Sequence, residues 1–106
     1  MHKTPVALVT GGARGIGESI TRMLAENGHT PVINYFQSEE RAGCLVDQLQ
    51  AAGHHAVAIQ GDVGKASDRQ RLVSETMDQF GRIDLLVNNA GITSPGRSDL
   101  LDADEE

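Results

Sequence analysis

The sequence contains very few of the residues that stabilise small secreted domains. Among its 106 residues there are one cysteine, no tryptophan, one tyrosine and two phenylalanines. Because Cys44 has no partner, an internal disulfide is excluded and a reducing, cytoplasmic location is expected. We expect the Cys44 thiol to be packed within a helix rather than reactive. The core must consist of Val, Leu, Ile and Ala, which favours an α/β fold with close helix–sheet packing.

Positive charge and long apolar segments are also scarce. The formal net charge is −6 at pH 7, and the two lysines and seven arginines are scattered. This argues against nucleic-acid binding, which requires clustered Lys and Arg. The apolar run Val6–Val9 is too short for a signal peptide or a membrane span, so no membrane partner is expected. His54 and His55 have no cysteine or carboxylate at ligand spacing, so we expect no metal site.

Strand and helix patterns alternate along the chain. Apolar runs predict strands at 6–9, 32–35, 56–59 and 83–87, and amphipathic segments predict helices at 15–26, 38–52 and 67–80. Right-handed crossovers then give a partial Rossmann-type, doubly wound parallel sheet with the strand order 3-2-1-4 and three helices. Residues 1–106 are therefore interpreted as one incomplete dinucleotide-binding domain, with a turn-rich acidic tail at 92–106.

The same patterns predict which residues are buried. The buried faces expected for the three helices comprise Ile16, Ile20, Met23 and Leu24; Ala42, Leu45, Val46 and Leu49; and Leu72, Val73, Met77 and Phe80. Ser38 is expected to cap the second helix, and Ser67–Gln70 is interpreted as a capping box at the start of the third. The fourth strand, which contains Leu85 and Leu86, is expected to be an apolar sheet edge, and such edges are sites of pairing or aggregation.

A glycine-rich segment, Thr10-Gly11-Gly12-Ala13-Arg14-Gly15-Ile16-Gly17, lies between the first strand and the first helix. We expect Gly11 to form a tight turn, Gly15 to let the backbone approach a pyrophosphate, and Gly17 to let the helix pack on the sheet. The amino terminus of a helix also presents unpaired N–H groups to an anion. An ordinary strand-to-helix turn is the alternative, but the complete βαβ context favours dinucleotide binding.

A second motif, Asn88-Asn89-Ala90-Gly91, follows the fourth strand. Together with the glycine-rich segment it resembles the classical short-chain dehydrogenase/reductase family, over residues 4 to about 101. The pair Asp62-Val63, after the third strand, also resembles the adenine-contacting pair of that family. The segments Asn34-Tyr35 and Ser38-Glu39-Glu40 most resemble the branch of β-ketoacyl-acyl-carrier-protein reductases.

The resemblance implies a role for each matching residue. Asp62 would accept a hydrogen bond from the adenine amine beside the Val63 backbone, although a residue in a strand-end turn is the alternative. Asn88 would mainly tie neighbouring strands together. The pyrophosphate and its ribose would lie against the glycine-rich segment, and the ribose near the nicotinamide would lie against the second motif. The cofactor-binding residues expected from these two motifs are Gly11, Gly12, Ala13, Arg14, Gly15, Ile16, Gly17, Asn89, Ala90 and Gly91.

The sequence favours NADP over NAD as the cofactor. Enzymes that prefer NAD usually carry an acidic residue at the end of the second strand, where it binds the ribose 2′-hydroxyl. Residues 34–38 of this chain contain no carboxylate, and Glu39 is the first acidic residue after them. Arg14 is positioned to pair with a 2′-phosphate, although a solvated loop arginine is the alternative.

The groups that perform the chemistry in this family have no match in the sequence. The family transfers a proton through a tyrosine whose pKa is lowered by a lysine four residues later, assisted by a serine and by an asparagine on the fourth helix. Tyr35 is followed at that spacing by Glu39, and no lysine occurs after Lys65. Ser94 and Ser98 come too soon after the second motif to match the family serine. No catalytic residue is therefore assigned.

Three hypotheses follow from this sequence. The first is an oxidoreductase that interconverts carbonyls and secondary alcohols, represented by its cofactor-binding half, with the small carbonyl substrate bound only by a full-length form. The second is a non-catalytic dinucleotide-binding fragment. The third is an inert truncated product that would aggregate through the edge of the fourth strand. Neither the substrate nor the oligomeric state follows from the sequence.

Overall fold

A four-stranded parallel sheet lies at the centre of the protein, in a computed structural model that describes residues 4–89. The strand order is β3-β2-β1-β4, as predicted from the sequence. Along the chain the elements are β1 (Val6–Val9), α1 (Gly15–Glu26), β2 (Thr30–Tyr35), α2 (Glu39–Ala51), β3 (Val57–Gln60), α3 (Ala66–Phe80) and β4 (Leu85–Val87). None of these helices is both long enough and apolar enough to cross a membrane.

The core lies on both faces of the sheet. Because side chains alternate along a strand, Val6 and Leu8 of β1 point to one face and Ala7 and Val9 to the other. On the first face, Val6 and Leu8 pack with Leu72 of α3. The opposite face is covered by α1 and α2, whose apolar residues pack against β1 and β2 in two clusters. All four residues of β1 are buried, as predicted for a central strand.

The buried face of α1 differs from the prediction. Ile16 and Met23 are 59% and 52% exposed, so their predicted burial was wrong. The residues that α1 buries are Gly17, Thr21, Leu24 and Ala25. The close approach of Gly17 to the backbone of Gly11 turns this face toward the sheet. Thr21 tolerates burial because its hydroxyl donates hydrogen bonds to the carbonyls of Gly17 and Gly12, at 2.8 and 3.0 Å.

The buried face of α3 was also predicted only in part. Leu72 is buried and Phe80 packs against the core, but Val73 and Met77 are 44% and 43% exposed. Thr76 is buried in their place. Its hydroxyl donates to the Leu72 carbonyl at 2.7 Å, which satisfies its polar group inside the core.

The starts of α2 and α3 use fewer side-chain caps than the sequence suggests. Ser38 occupies the N-cap position of α2, but its side chain makes no capping hydrogen bond. The capping box at 67–70 was a wrong prediction, because α3 begins at Ala66 with Lys65 as its N-cap. The Asp68 carboxylate instead accepts a hydrogen bond from the backbone N–H of Asp62, at 2.8 Å. Asp68 therefore fixes the loop after β3 rather than closing a capping box.

Two surface features complete the fold. Cys44 lies on α2 and is exposed, so the prediction of a packed thiol was wrong. The predicted apolar edge is present, because Leu85 and Leu86 of β4 are 40% and 50% exposed in the part of the chain that the structure describes. β4 pairs with β1 on one side only among residues 4–89.

Candidate functional site

The carboxyl ends of the four strands bring the sequence-predicted site residues to one edge of the sheet. Because all strands are parallel, the segments that follow them leave the sheet on the same side. These segments are the glycine-rich turn at 10–14, the loop at 36–38, the loop at 61–65 and residues 88–89. Ala90 and Gly91, which the sequence also assigned to the site, lie outside the described residues.

The glycine-rich turn adopts backbone conformations that favour glycine. Gly11 and Gly15 have φ angles of +62° and +53°. A side chain at Gly15 would meet no atom within 4 Å, so the backbone of this residue faces open space. Gly15 is also the first residue of α1, so its N–H is one of the helix groups that have no intrahelical acceptor. Gly15 therefore presents an accessible backbone donor at the positive end of the α1 dipole.

Gly17 is required by a close approach of α1 to the turn. A Cβ atom at this residue would overlap the carbonyl oxygen of Gly11 and would lie 2.5 Å from Nδ2 of Asn89. Any side chain would therefore push the helix away from the turn. This contact fixes where the amino terminus of α1 sits relative to the ends of β1 and β4.

Asn34, near the end of β2, was not assigned to the site by the sequence, and it holds two of the loops. Its Oδ1 accepts a hydrogen bond from the Gly11 N–H at 3.1 Å, and its Nδ2 donates to the Gly61 carbonyl at 3.1 Å. Its backbone carbonyl also accepts from the Gly12 N–H at 3.0 Å. The residue is 2% exposed. A polar residue in the apolar strand β2 was the signal that could have revealed this role.

Asn89 holds the turn from the other side. It is 4% exposed, and its Nδ2 donates to the Gly11 carbonyl at 3.0 Å. Its Oδ1 is buried and has no hydrogen-bond partner among residues 4–89. From the sequence, Asn88 was expected to tie neighbouring strands; it is half-buried, and the residue that ties the glycine-rich turn in the structure is Asn89. Together Asn34 and Asn89 bind both the N–H and the carbonyl of Gly11.

Arg14 borders a cleft that contains no carboxylate. It is the N-cap residue of α1, it is exposed, and its side chain makes no capping hydrogen bond. The cleft has a volume of about 240 Å³ and is lined by Gly11, Ala13, Arg14, Asn34, Tyr35, Phe36, Gln37 and Ser38. Glu18, the acidic residue in the first turn of α1, is paired with Arg22 at 2.9 Å. The cleft therefore suits an anionic group.

Asp62 forms a turn immediately after β3. Its Oδ1 accepts a hydrogen bond from the Gly64 N–H at 2.9 Å, which is the geometry of an Asx turn. The neighbouring Val63 packs against the core, and its carbonyl accepts from the Arg69 guanidinium at 2.7 Å. The alternative interpretation of Asp62 as a turn residue thus describes its contacts in the structure. Its half-buried position at the sheet edge leaves it beside the same site.

No group of three or more metal-ligating side chains occurs among residues 4–89. The site instead consists of backbone donors, amide side chains and one exposed guanidinium. The backbone donors and the guanidinium are suited to bind phosphate rather than a metal ion, while the buried amides hold the backbone in place.

Comparison with known proteins agrees with this architecture. A family model described as short chain dehydrogenase matches residues 5–106. The chain belongs to the short-chain dehydrogenase family. The family resemblance predicted from the sequence is therefore confirmed, and so is the Rossmann-type fold.

Relatives within the short-chain dehydrogenase family include enzymes named 3-oxoacyl-[acyl-carrier-protein] reductase. The protein from Staphylococcus aureus is 46% identical over 93 residues, which is 88% of this chain and 38% of the relative. The protein from a Synechocystis species is 48% identical over 88 residues, or 83% of this chain and 36% of the relative. This chain thus spans less than half the length of the curated relatives that it matches.

Solved structures of family members also match this chain. A short chain dehydrogenase from Burkholderia cenocepacia, solved in complex with NADP, has a TM-score of 0.80 and 43% identity over 87% of this chain and 38% of its own. A blue fluorescent protein from a metagenomic library, solved in complex with NADPH, has a TM-score of 0.78 and 40% identity. That match covers 92% of this chain and 42% of the other.

Proposed function

We propose that this chain is the cofactor-binding portion of an NADP-dependent reductase that interconverts a carbonyl and a secondary alcohol. The observation that supports it most directly is the glycine-rich turn, held at the amino terminus of α1 by Asn34 and Asn89, beside the exposed Arg14. The two NADP-bound relatives of similar fold support the same cofactor. The 3-oxoacyl reductase relatives support a 3-oxoacyl thioester as the substrate of a full-length protein.

The residues of the site fit a dinucleotide phosphate. The backbone of the turn would bind the pyrophosphate, since Gly15 faces open space at the positive end of the α1 dipole. Arg14 would pair with the 2′-phosphate in the cleft that has no carboxylate. The complete proposed set remains Gly11, Gly12, Ala13, Arg14, Gly15, Ile16 and Gly17 for the phosphates and ribose, Asp62 and Val63 for the adenine, and Asn89, Ala90 and Gly91 for the ribose near the nicotinamide.

The described residues bind and orient the cofactor in this proposal, and they perform no proton transfer. NADPH, when bound, would supply a hydride to the substrate carbonyl. Tyr35 lies at the end of β2 and is followed four residues later by Glu39 rather than by a lysine, so it does not match the tyrosine–lysine pair of the family. The function of residues 4–89 in turnover is therefore to hold the dinucleotide, and the acid–base groups would have to come from elsewhere in a full-length protein.

A non-catalytic dinucleotide-binding role is the second candidate. It is favoured by the hydrogen bonds around Gly11, because both the N–H and the carbonyl of this residue have side-chain partners within residues 4–89. The two candidates share the NADP site and differ only in turnover. Reduction of a 3-oxoacyl thioester by NADPH, followed at 340 nm, separates them.

Binding titrations of NADP⁺ and NAD⁺ test the cofactor assignment. We expect Arg14→Gln to weaken NADP⁺ about tenfold or more, because a charge-assisted hydrogen bond contributes about 1.5–3 kcal/mol. NAD⁺, which has no 2′-phosphate, should change less than about twofold. Arg82→Gln is the control for the loss of one positive charge, because Arg82 lies at the opposite end of the sheet, just before β4, where it pairs with Asp84. Equal losses for both cofactors would contradict the role of Arg14, and a wild-type protein that binds neither would contradict the proposed function.

A further inference from the structure

Asn34 links two loops that leave different strands. Its Oδ1 contacts the turn after β1 through the Gly11 N–H, and its Nδ2 contacts the exit of β3 through the Gly61 carbonyl, each at 3.1 Å. The first loop contains the backbone proposed to bind pyrophosphate. The second leads directly into Asp62 and Val63, proposed to bind adenine. One side-chain amide therefore spans the two halves of the candidate cofactor site.

We propose that Asn34 is a positioning residue that sets the separation between the pyrophosphate turn and the adenine loop. This inference rests on the proposed function, since it concerns binding of a whole dinucleotide. At 2% exposure the side chain has no free surface for a ligand, so it acts through Gly11 and Gly61. A dinucleotide must engage both loops at once, so its affinity depends on their separation, whereas a ligand of one loop does not sense it.

The Asn34 amide satisfies both loops at once. The Gly11 N–H needs an acceptor, and the Gly61 carbonyl needs a donor, so the side chain must offer one of each. A leucine of similar size offers neither. An ionised aspartate keeps the acceptor but places a second oxygen against the Gly61 carbonyl and near the Ile59 carbonyl, which lies 3.4 Å from Nδ2.

The same geometry bears on the choice between NAD and NADP. An acidic residue at the end of the second strand is the usual device of NAD-binding enzymes. A carboxylate in place of the Asn34 amide would point toward the buried backbone of Gly11 and Gly61 rather than toward a ribose. Tyr35, the last residue of β2, and the following Phe36 and Gln37 line the cleft beside Arg14 instead. Substitutions that alter the preference for the 2′-phosphate therefore belong at one of these three residues, and an acid at Asn34 weakens both cofactors.

The test compares ligands of one loop with a ligand of both, using the protein in its natural full length. The ligands are adenosine, inorganic pyrophosphate and NADP⁺, and the variants are Asn34→Leu and Asn34→Asp. Thr76→Val is the matched control, because it also removes a buried hydrogen bond but lies within α3. We expect Asn34→Leu to weaken NADP⁺ about tenfold or more, while adenosine and pyrophosphate change less than about twofold. Thr76→Val should leave all three affinities unchanged.

Hydrogen exchange of the Gly11 amide in the ligand-free protein provides a second measurement. Exchange should accelerate in Asn34→Leu, which has no acceptor, and should stay slow in Asn34→Asp, which retains one. If Asn34→Leu does not fold, Asn34→Asp carries the affinity comparison, with the same tenfold loss expected for NADP⁺.

Three results would overturn the inference, and each is distinct. Unchanged NADP⁺ affinity in both Asn34 variants would show that the Asn34 hydrogen bonds do not set the separation of the two loops. Equal losses for adenosine, pyrophosphate and NADP⁺ would show a general loss of structure instead of positioning. A wild-type protein that binds no NADP⁺ would overturn the proposed function, and the cofactor role of Asn34 with it.

Discussion

Replacing Gly17 with alanine tests whether the contact between α1 and the glycine-rich turn is as close as the structure shows. The new methyl group would overlap the Gly11 carbonyl oxygen and would lie 2.5 Å from Nδ2 of Asn89. One of these neighbours is backbone, so the overlap cannot be relieved by rotating a flexible side chain. We expect α1 and the turn to separate, which breaks the hydrogen bond from Asn89 to Gly11.

The size of the effect follows from opposing contributions. Crowding a packed site costs about 1–3 kcal/mol, and losing one buried hydrogen bond costs about 1 kcal/mol more. Alanine has a higher helix propensity than glycine, which returns about 1 kcal/mol. The free energy of unfolding of Gly17→Ala should therefore fall by about 1–3 kcal/mol.

Gly43→Ala is the matched control. Gly43 lies inside α2, where a methyl group would meet no atom within 4 Å, so this substitution should raise the free energy of unfolding by up to about 1 kcal/mol. Urea unfolding followed by circular dichroism at 222 nm measures both variants, since the chain has no tryptophan. A Gly17→Ala protein as stable as wild type, or more stable, would refute the reasoning, because crowding would then cost no more than helix propensity returns.

Two further predictions concern Asp84 and Cys44. The Arg82 guanidinium, and then the Val6 N–H, lower the pKa of Asp84 to about 2, below its ordinary value of 3.8. The stability that this carboxylate contributes is present above about pH 4 and is lost as the pH falls toward 2. Asp84→Asn should therefore flatten the dependence of the melting temperature on pH between about pH 2 and pH 4. Parallel curves of melting temperature against pH for wild type and variant would contradict this prediction. Because Cys44 is exposed, a thiol reagent should modify the native protein nearly as fast as the urea-unfolded one, and strong native protection would contradict the structure.

The strands and their order could be predicted because the relevant signals are local. The continuous apolar run Val6–Val9 is typical of a strand covered on both faces, and right-handed crossovers leave few possible orders. The predicted bounds differ from the structure by a few residues, as at β2, which begins at Thr30 rather than Val32. Ladder pairing with β1 extends β2 to Thr30, because partners rather than composition determine where a strand starts.

The candidate site could be predicted only where its residues follow a motif. The glycine pattern revealed the turn, since close packing at Gly17 and a positive φ at Gly15 both require glycine. Asn34 belongs to no such pattern, and its role depends on Gly61, which lies 27 residues away along the chain. A partner at that distance is set by strand register, which composition does not specify.

The predicted buried face of α3 was wrong in part, and the physical reason also concerns the edge of the sheet. Arg71 of α3 donates to the Gln60 carbonyl at 2.8 Å, so this flank of the helix faces β3. Val73 and Met77 project about 200–240° around the helix from Arg71, toward the side where β1 and β4 lie. Leu86 is paired with Leu8, and therefore shares the sheet face that α3 covers.

Val73 and Met77 of α3 and Leu86 of β4 therefore lie on the same side of the sheet. An apolar stripe along a helix indicates a surface that packs against other residues. Val73, Met77 and Leu86 are nevertheless 44%, 43% and 50% exposed. Their apolar pattern predicts burial, but among residues 4–89 these side chains remain partly exposed. The pattern therefore identifies an apolar surface, although the predicted burial of Val73 and Met77 was wrong.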